Sequence, residues 1–86
     1  MSENDRFHVV IVGGCGHVGL PVGLAFASRG LSVVAYDTNL EAVDTVNAGK
    51  MPFIERGAQE VLHRVLEDGT FRASADPSTV RGAEYV

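Results

Sequence analysis

The chain has no tryptophan, one cysteine, three prolines, and only four phenylalanines and two tyrosines among 86 residues. A lone cysteine excludes an internal disulfide, and no Cys-x-x-Cys pair or His/Cys cluster has the spacing of a metal site, so no metal is expected. Cations are scarce: seven Lys and Arg against eleven Asp and Glu leave a net charge of −4 and a pI near 5.1. Proteins that bind nucleic acid usually carry a basic face, which makes such a partner an unfavourable reading. No apolar run approaches the ~20 residues needed to cross a bilayer. Met1-Ser2-Glu3-Asn4-Asp5 is too acidic and polar for a secretory signal. The expectation is a soluble protein of the reducing cytoplasm with neither a nucleic-acid nor a membrane partner.

The sequence does contain apolar residues, at 45% of the chain. That suffices for one small domain, although a domain of this length buries only about 60–65% of its chain surface. Residues 1–6 read as a tail and 7–86 as one unit, without repeats, low-complexity tracts or linkers. Phe7 to Val12 is apolar without alternation, as in a parallel strand covered on both faces. A helix is expected over about 17–29, closed by Gly30, then a strand over about 32–36. Thr38 or Asn39 can cap a second helix carrying Leu40, Val43 and Val46 on one side and ended by Gly49. After an irregular connector, Lys50 to Arg56, the residues Ala58, Val61, Leu62, Val65 and Leu66 fall on one helical face, with Gly69 as the stop. Phe71-Arg72-Ala73 is a short third strand, and Asp76-Pro77 opens a brief helix of residues 77–82. Glu84-Tyr85-Val86 begins a fourth strand.

The junction of the first strand and helix reads Gly14-Cys15-Gly16-His17-Val18-Gly19. A Gly-x-Gly-x-x-Gly pattern is a weak signal alone and a specific one between a strand and a helix, where it marks a dinucleotide-binding loop. Gly14 is expected to let the chain turn off the strand. Gly16, without a β-carbon, lets the backbone approach a pyrophosphate. His17 and Val18 supply N–H groups at the helix start, where the partial charge of roughly half a unit attracts an anion. Gly19 faces the sheet, and Gly23 and Ala27 extend a ridge of small residues along the helix. Pro21, in the first turn, removes no helical hydrogen bond. Cys15 reads as a spacer. A reactive thiol activated by the helix N-terminus is the competing reading.

Asp37 lies at the end of the second strand, 18 residues past Gly19, where such folds present a carboxylate to the adenosine ribose. A 2′-phosphate at ~5 Å would be repelled by about 3 kcal/mol per charge pair at an effective dielectric of 20. The cofactor is therefore expected to be NAD rather than NADP. The architecture is α/β, a doubly wound parallel sheet of the Rossmann type with strand order 3-2-1-4, broken off after the start of its fourth strand. The chain accordingly reads as part of a longer protein. The open edge of the first strand suggests self-association, as a homo-oligomer of the full-length form.

From Val9 to about Val86 the chain resembles the N-terminal NAD-binding domain of the UDP-glucose/GDP-mannose dehydrogenase family. The residues that carry the resemblance are Gly14 to Pro21, Ala25-Phe26-Ala27, Asp37, Val46-Asn47-Ala48-Gly49-Lys50, Pro52 with Glu55 and Gly57, and Phe71 to Pro77. It implies an enzyme that oxidises the C6 hydroxymethyl of a nucleotide sugar to a carboxylate in two NAD-dependent hydride transfers. It also implies that the catalytic cysteine and the substrate-binding lysine and asparagine lie in later domains. None of the catalytic residues is then in this chain, and Cys15 is not the nucleophile. The nucleotide sugar would be held through those later domains.

Many UDP-glucose dehydrogenases have Glu-Pro-Gly-Leu where this chain has Glu55-Arg56-Gly57-Ala58, and a cation where it has Ala42. Ala27-Ser28-Arg29 and Ala42 to Asn47 are closer to the UDP-N-acetylmannosamine dehydrogenase branch, so the sugar is either that one or UDP-glucose. Two other readings compete with the family. One is a stand-alone NAD-sensing regulatory domain without catalysis, and the other a dehydrogenase of hydroxyacids or phosphogluconate with the same loop. His8, His63, Glu55 and Arg56 read as structural or solvated positions.

Overall fold

The structure, a computed structural model, describes residues 9–81. In chain order these form β1 (Val9–Val12), α1 (Gly19–Ser28), β2 (Val33–Tyr36), α2 (Leu40–Asn47), α3 (Ala58–Asp68), β3 (Phe71–Ser74) and α4 (Ser78–Arg81). The strands are parallel in the order β1-β2-β3, with Ile11 level with Ala35 and Ala35 with Ala73. This is the 3-2-1 half of the expected sheet, with helices in the crossovers, as parallel pairing requires. The tail, the start of the first strand and the fourth strand at Glu84 to Val86 lie outside the described residues.

Successive side chains of a strand point to opposite faces. Val33, Ala35, Phe71 and Ala73, with Val9 and Ile11, meet Leu20, Leu24 and Ala27 of α1, Val43 and Val46 of α2, and Ala58, Leu62 and Val65 of α3 in one cluster. Val10 and Val34 face the other way and are also fully buried. The short α4 lies against β2. Each Leu or Val enclosed in this way contributes about 1.5–3 kcal/mol, which is how four-residue strands hold together.

Local signals account for the helix ends. The side chain of Asn39, not that of Thr38, caps α2 by accepting the Ala42 N–H at 3.1 Å. Gly69 ends α3 in the left-handed region at φ 79°, which a side chain would strain. Three expectations need correction. The first helix starts at Gly19 rather than 17, because residues 16–18 are spent on a turn. Val12 is 58% exposed, since β1 is an edge of the described sheet and leaves it at the glycine loop. Leu40 is 65% exposed, because at 100° per residue it sits roughly 120° around α2 from Val46, off the buried stripe.

Candidate dinucleotide-binding site

The glycine loop joins β1 to α1 and lies beside the C-terminal end of β2, so the sheet brings the loop and Asp37 together. The left-handed turn off β1 is made at Gly13, with φ 73°, and not at Gly14 as the motif suggests. Gly14 has a different constraint. A β-carbon there would lie 2.6 Å from both Cα and Cβ of Ala35 and 2.7 Å from the Ile11 carbonyl oxygen, so this glycine lets the loop pack onto β2. At Gly16 a β-carbon would meet only the Gly13 carbonyl oxygen, at 3.4 Å, and otherwise face open space. A β-carbon at Gly19 would lie 2.5 Å from the Gly13 carbonyl oxygen, so this glycine packs on the loop and not on the sheet as the motif suggests. Gly23 lies against Phe71, Ile11 and Val33, as a helix packed closely on the sheet requires.

The loop's N–H groups divide into two sets. Gly13 and Gly14 donate to the Tyr36 carbonyl at 2.8 and 3.0 Å, and Gly16 donates to the Gly13 carbonyl at 3.1 Å. Cys15 donates to Asp37 Oδ2 at 3.2 Å. Leu20 donates to Gly16 at 3.0 Å. Among the described residues the N–H groups of His17, Val18 and Gly19 have no acceptor. Three donors therefore stand together at the N-terminus of a ten-residue helix, beside a glycine with no side chain in the way. This set suits a pyrophosphate on both charge and space.

Asp37 is half-buried, and its Oδ1 accepts the Asn39 N–H at 3.0 Å while Oδ2 accepts that of Cys15. A carboxylate has about four acceptor positions. Two are used to hold it in place, and two are left that can accept from further donors such as hydroxyls. The loop and the acid are thus one hydrogen-bonded unit.

Cys15 is more than a spacer. Its side chain is only 4% exposed and belongs to the core. Burial, and secondarily the charge of Asp37, push its thiol up to about 11, so at neutral pH it is protonated. This overturns the activated-thiol reading, because desolvation under the loop outweighs the helix N-terminus.

His17 and Val18 are exposed, and the imidazole of His17 stacks on Phe53 with centroids 4.2 Å apart and planes 20° from parallel. Phe53 comes from the connector, 36 positions away, and nothing in the sequence pattern pointed to it. Glu55 and Arg56 are exposed in that connector. His63 is exposed on α3, pairs with Gln59 at 3.0 Å and covers Gly49. His8 lies outside the described residues. A groove of about 600 Å³ between the end of α2 and α3, lined by Asn47, Gly49, His63 and Glu67, contains none of the expected site residues. Among the described residues no group of His, Cys, Asp and Glu could hold a metal, and no helix is long and apolar enough to cross a membrane.

Residues 8–85 match the model of the UDP-glucose/GDP-mannose dehydrogenase family, NAD binding domain. The chain belongs to that family. Its cofactor is accordingly NAD. It is 38% identical over 73 residues to a UDP-N-acetyl-D-mannosamine dehydrogenase of Campylobacter jejuni, covering 85% of this chain and 18% of that one. It is 41% identical over 71 residues to the enzyme of the same name from Escherichia coli strain K12, covering 83% and 17%.

Solved structures are similar as well. The native UDP-N-acetyl-mannosamine dehydrogenase of Staphylococcus aureus superposes with a TM-score of 0.76 at 34% identity, over 81% of this chain and 17% of that one. A GDP-mannose dehydrogenase crystallised as a ternary complex gives 0.77 at 28% identity, over 80% and 16%. The Rossmann-type sheet read from the sequence is therefore the fold. The chain spans less than one fifth of the length of these relatives.

Proposed function

We propose that this chain is the cofactor-binding part of an NAD-dependent nucleotide-sugar dehydrogenase that oxidises the C6 hydroxymethyl of its sugar to a carboxylate. UDP-N-acetylmannosamine is the favoured substrate and UDP-glucose the second. The relatives from C. jejuni and E. coli are UDP-N-acetyl-D-mannosamine dehydrogenases, which supports that order. The observation that carries the reading is the pairing of three free N–H groups at the start of α1 with a carboxylate held one hydrogen bond away from the same loop.

In this reading the N–H groups of His17 and Val18 hold the pyrophosphate, and Gly16 leaves room for the backbone to approach it. Gly14 sets the loop on β2, and Asp37 accepts from the adenosine ribose hydroxyls. NAD, when bound, supplies the hydride acceptor for both oxidation steps. The residues of this chain bind and orient it, and none of them is catalytic. Cys15, buried and protonated, does not serve as the nucleophile. The sugar and the catalytic groups belong to later domains of a cytoplasmic homo-oligomer. Nothing in the site favours the sensor-domain or hydroxyacid readings, and the family match speaks against both.

The test is a calorimetric titration of NAD and NADP against the wild type and Asp37→Ala. NAD should bind more tightly than NADP, and the substitution should narrow the gap from the NAD side, since a carboxylate-to-hydroxyl bond contributes about 1.5–3 kcal/mol. Equal wild-type affinities would remove the role given to Asp37. A folded chain that takes up no NAD would remove the site altogether. For the reaction, a polypeptide carrying this domain and its downstream partner should release two NADH per sugar, and one NADH per sugar would reject the carboxylate product.

A further inference from the structure

The loop is tied down unevenly. Residues 13–16 are anchored by hydrogen bonds to Tyr36, Asp37 and the loop itself, and the helix takes over at Leu20. Between them His17, Val18 and Gly19 present the free donors, and among the described residues no backbone hydrogen bond from their N–H groups fixes that stretch. What does touch it is Phe53. Its ring lies against that of His17 at 4.2 Å and 20°, and it is half-buried against the core cluster.

The connector that carries Phe53 is itself held. Gln59 of α3 accepts the Met51 N–H at 3.1 Å and donates to the Gly49 carbonyl, while the Ala58 N–H returns to the Glu55 carbonyl at 3.1 Å. Phe53 is therefore carried on a braced connector and stacked on His17, the first of the three loop residues whose N–H groups are free.

We propose that Phe53, acting through the stacked ring of His17, is a positioning residue for the dinucleotide phosphates. Fixing the His17 side chain restricts its rotamer, and with it the backbone at 17 and 18 whose N–H groups must converge on the anion. The connector thereby becomes a wall of the cofactor site, although it contributes no group to the cofactor. This inference rests on the loop's binding of NAD as read above.

The test is a double-mutant cycle in NAD affinity. His17→Ala retains the backbone N–H, and at an exposed position it leaves the fold intact. Phe53→Leu retains apolar bulk in case Phe53→Ala unfolds. Each of the three should weaken NAD binding about three- to tenfold, the range of one aromatic pair. The His17→Ala/Phe53→Leu double variant should lose no more than either single one. Phe53→Tyr, which keeps the stack, should bind as the wild type does, and a loss as large as that of Phe53→Leu would overturn the proposal. So would losses that multiply in the double variant, or wild-type affinity in a folded Phe53→Leu. A wild type that binds no NAD defeats the site and this inference together, whereas a wild type that binds alongside unaffected variants defeats only this one.

Discussion

Two alanine substitutions, two residues apart in one loop, should fail in opposite ways. In Gly14→Ala the new methyl would sit 2.6 Å from the Cα and Cβ of Ala35 and 2.7 Å from the Ile11 carbonyl oxygen. Carbon atoms prefer about 3.5–4.0 Å, so roughly 1 Å must open between the loop and the middle strand. No flexible side chain can absorb it. Overpacking of this kind costs about 1–3 kcal/mol or more, and a domain of this size loses about 4–8 °C in Tm per kcal/mol, so the midpoint should fall by roughly 5–20 °C. In Gly16→Ala the methyl meets only the Gly13 carbonyl oxygen at 3.4 Å, and the backbone is outside the left-handed region. Stability should stay within about 0.5 kcal/mol of the wild type. NAD affinity should nevertheless fall about tenfold or more, the ~1.4 kcal/mol expected when one phosphate contact is pushed out of reach. Thermal denaturation followed by circular dichroism, with NAD calorimetry on the same samples, reads both quantities. A Gly16→Ala chain that binds NAD as the wild type does would refute the close approach of phosphate to this backbone. An unchanged midpoint in Gly14→Ala would refute the packing argument.

Two further predictions concern groups beside the site. The Cys15 thiol, raised from 9.0 to about 11, stays protonated in the fold while the unfolded chain ionises above pH 9. The unfolded state then binds fewer protons, so stability should fall between about pH 9 and pH 11 by roughly 2–3 kcal/mol. Cys15→Ala should lack that part of the decline in urea titrations, and an alkylating reagent that modified the native thiol rapidly at pH 7 would contradict the assignment. Asn47 donates to the Ala73 carbonyl at 2.9 Å and accepts the Ala73 N–H at 2.8 Å, standing in for a further strand on the outer side of β3. Asn47→Asp keeps the acceptor but sets a carboxylate against a carbonyl oxygen. It should lose about 1–3 kcal/mol in chemical denaturation and expose β3 to edge pairing, detectable as self-association by light scattering. A monomeric variant as stable as the wild type would show that the amide does neither.

The sequence by itself determined the alternation of strands and helices, the stripe from Ala58 to Leu66, the stops at Gly30, Gly49 and Gly69, and the place of the glycine loop and Asp37. These are set by the spacing of neighbours along the chain, and the periods of a helix or strand are local properties. Tertiary structure decided what the same residues do once distant segments meet. Which of two adjacent glycines turns the chain and which packs depended on Ala35. Cys15 became a core residue whose backbone N–H holds Asp37. Asn47 found the edge of a strand 26 positions away, and His17 found Phe53. No periodicity encodes such pairs, because they follow from how the sheet, once built, brings its loops and edges together.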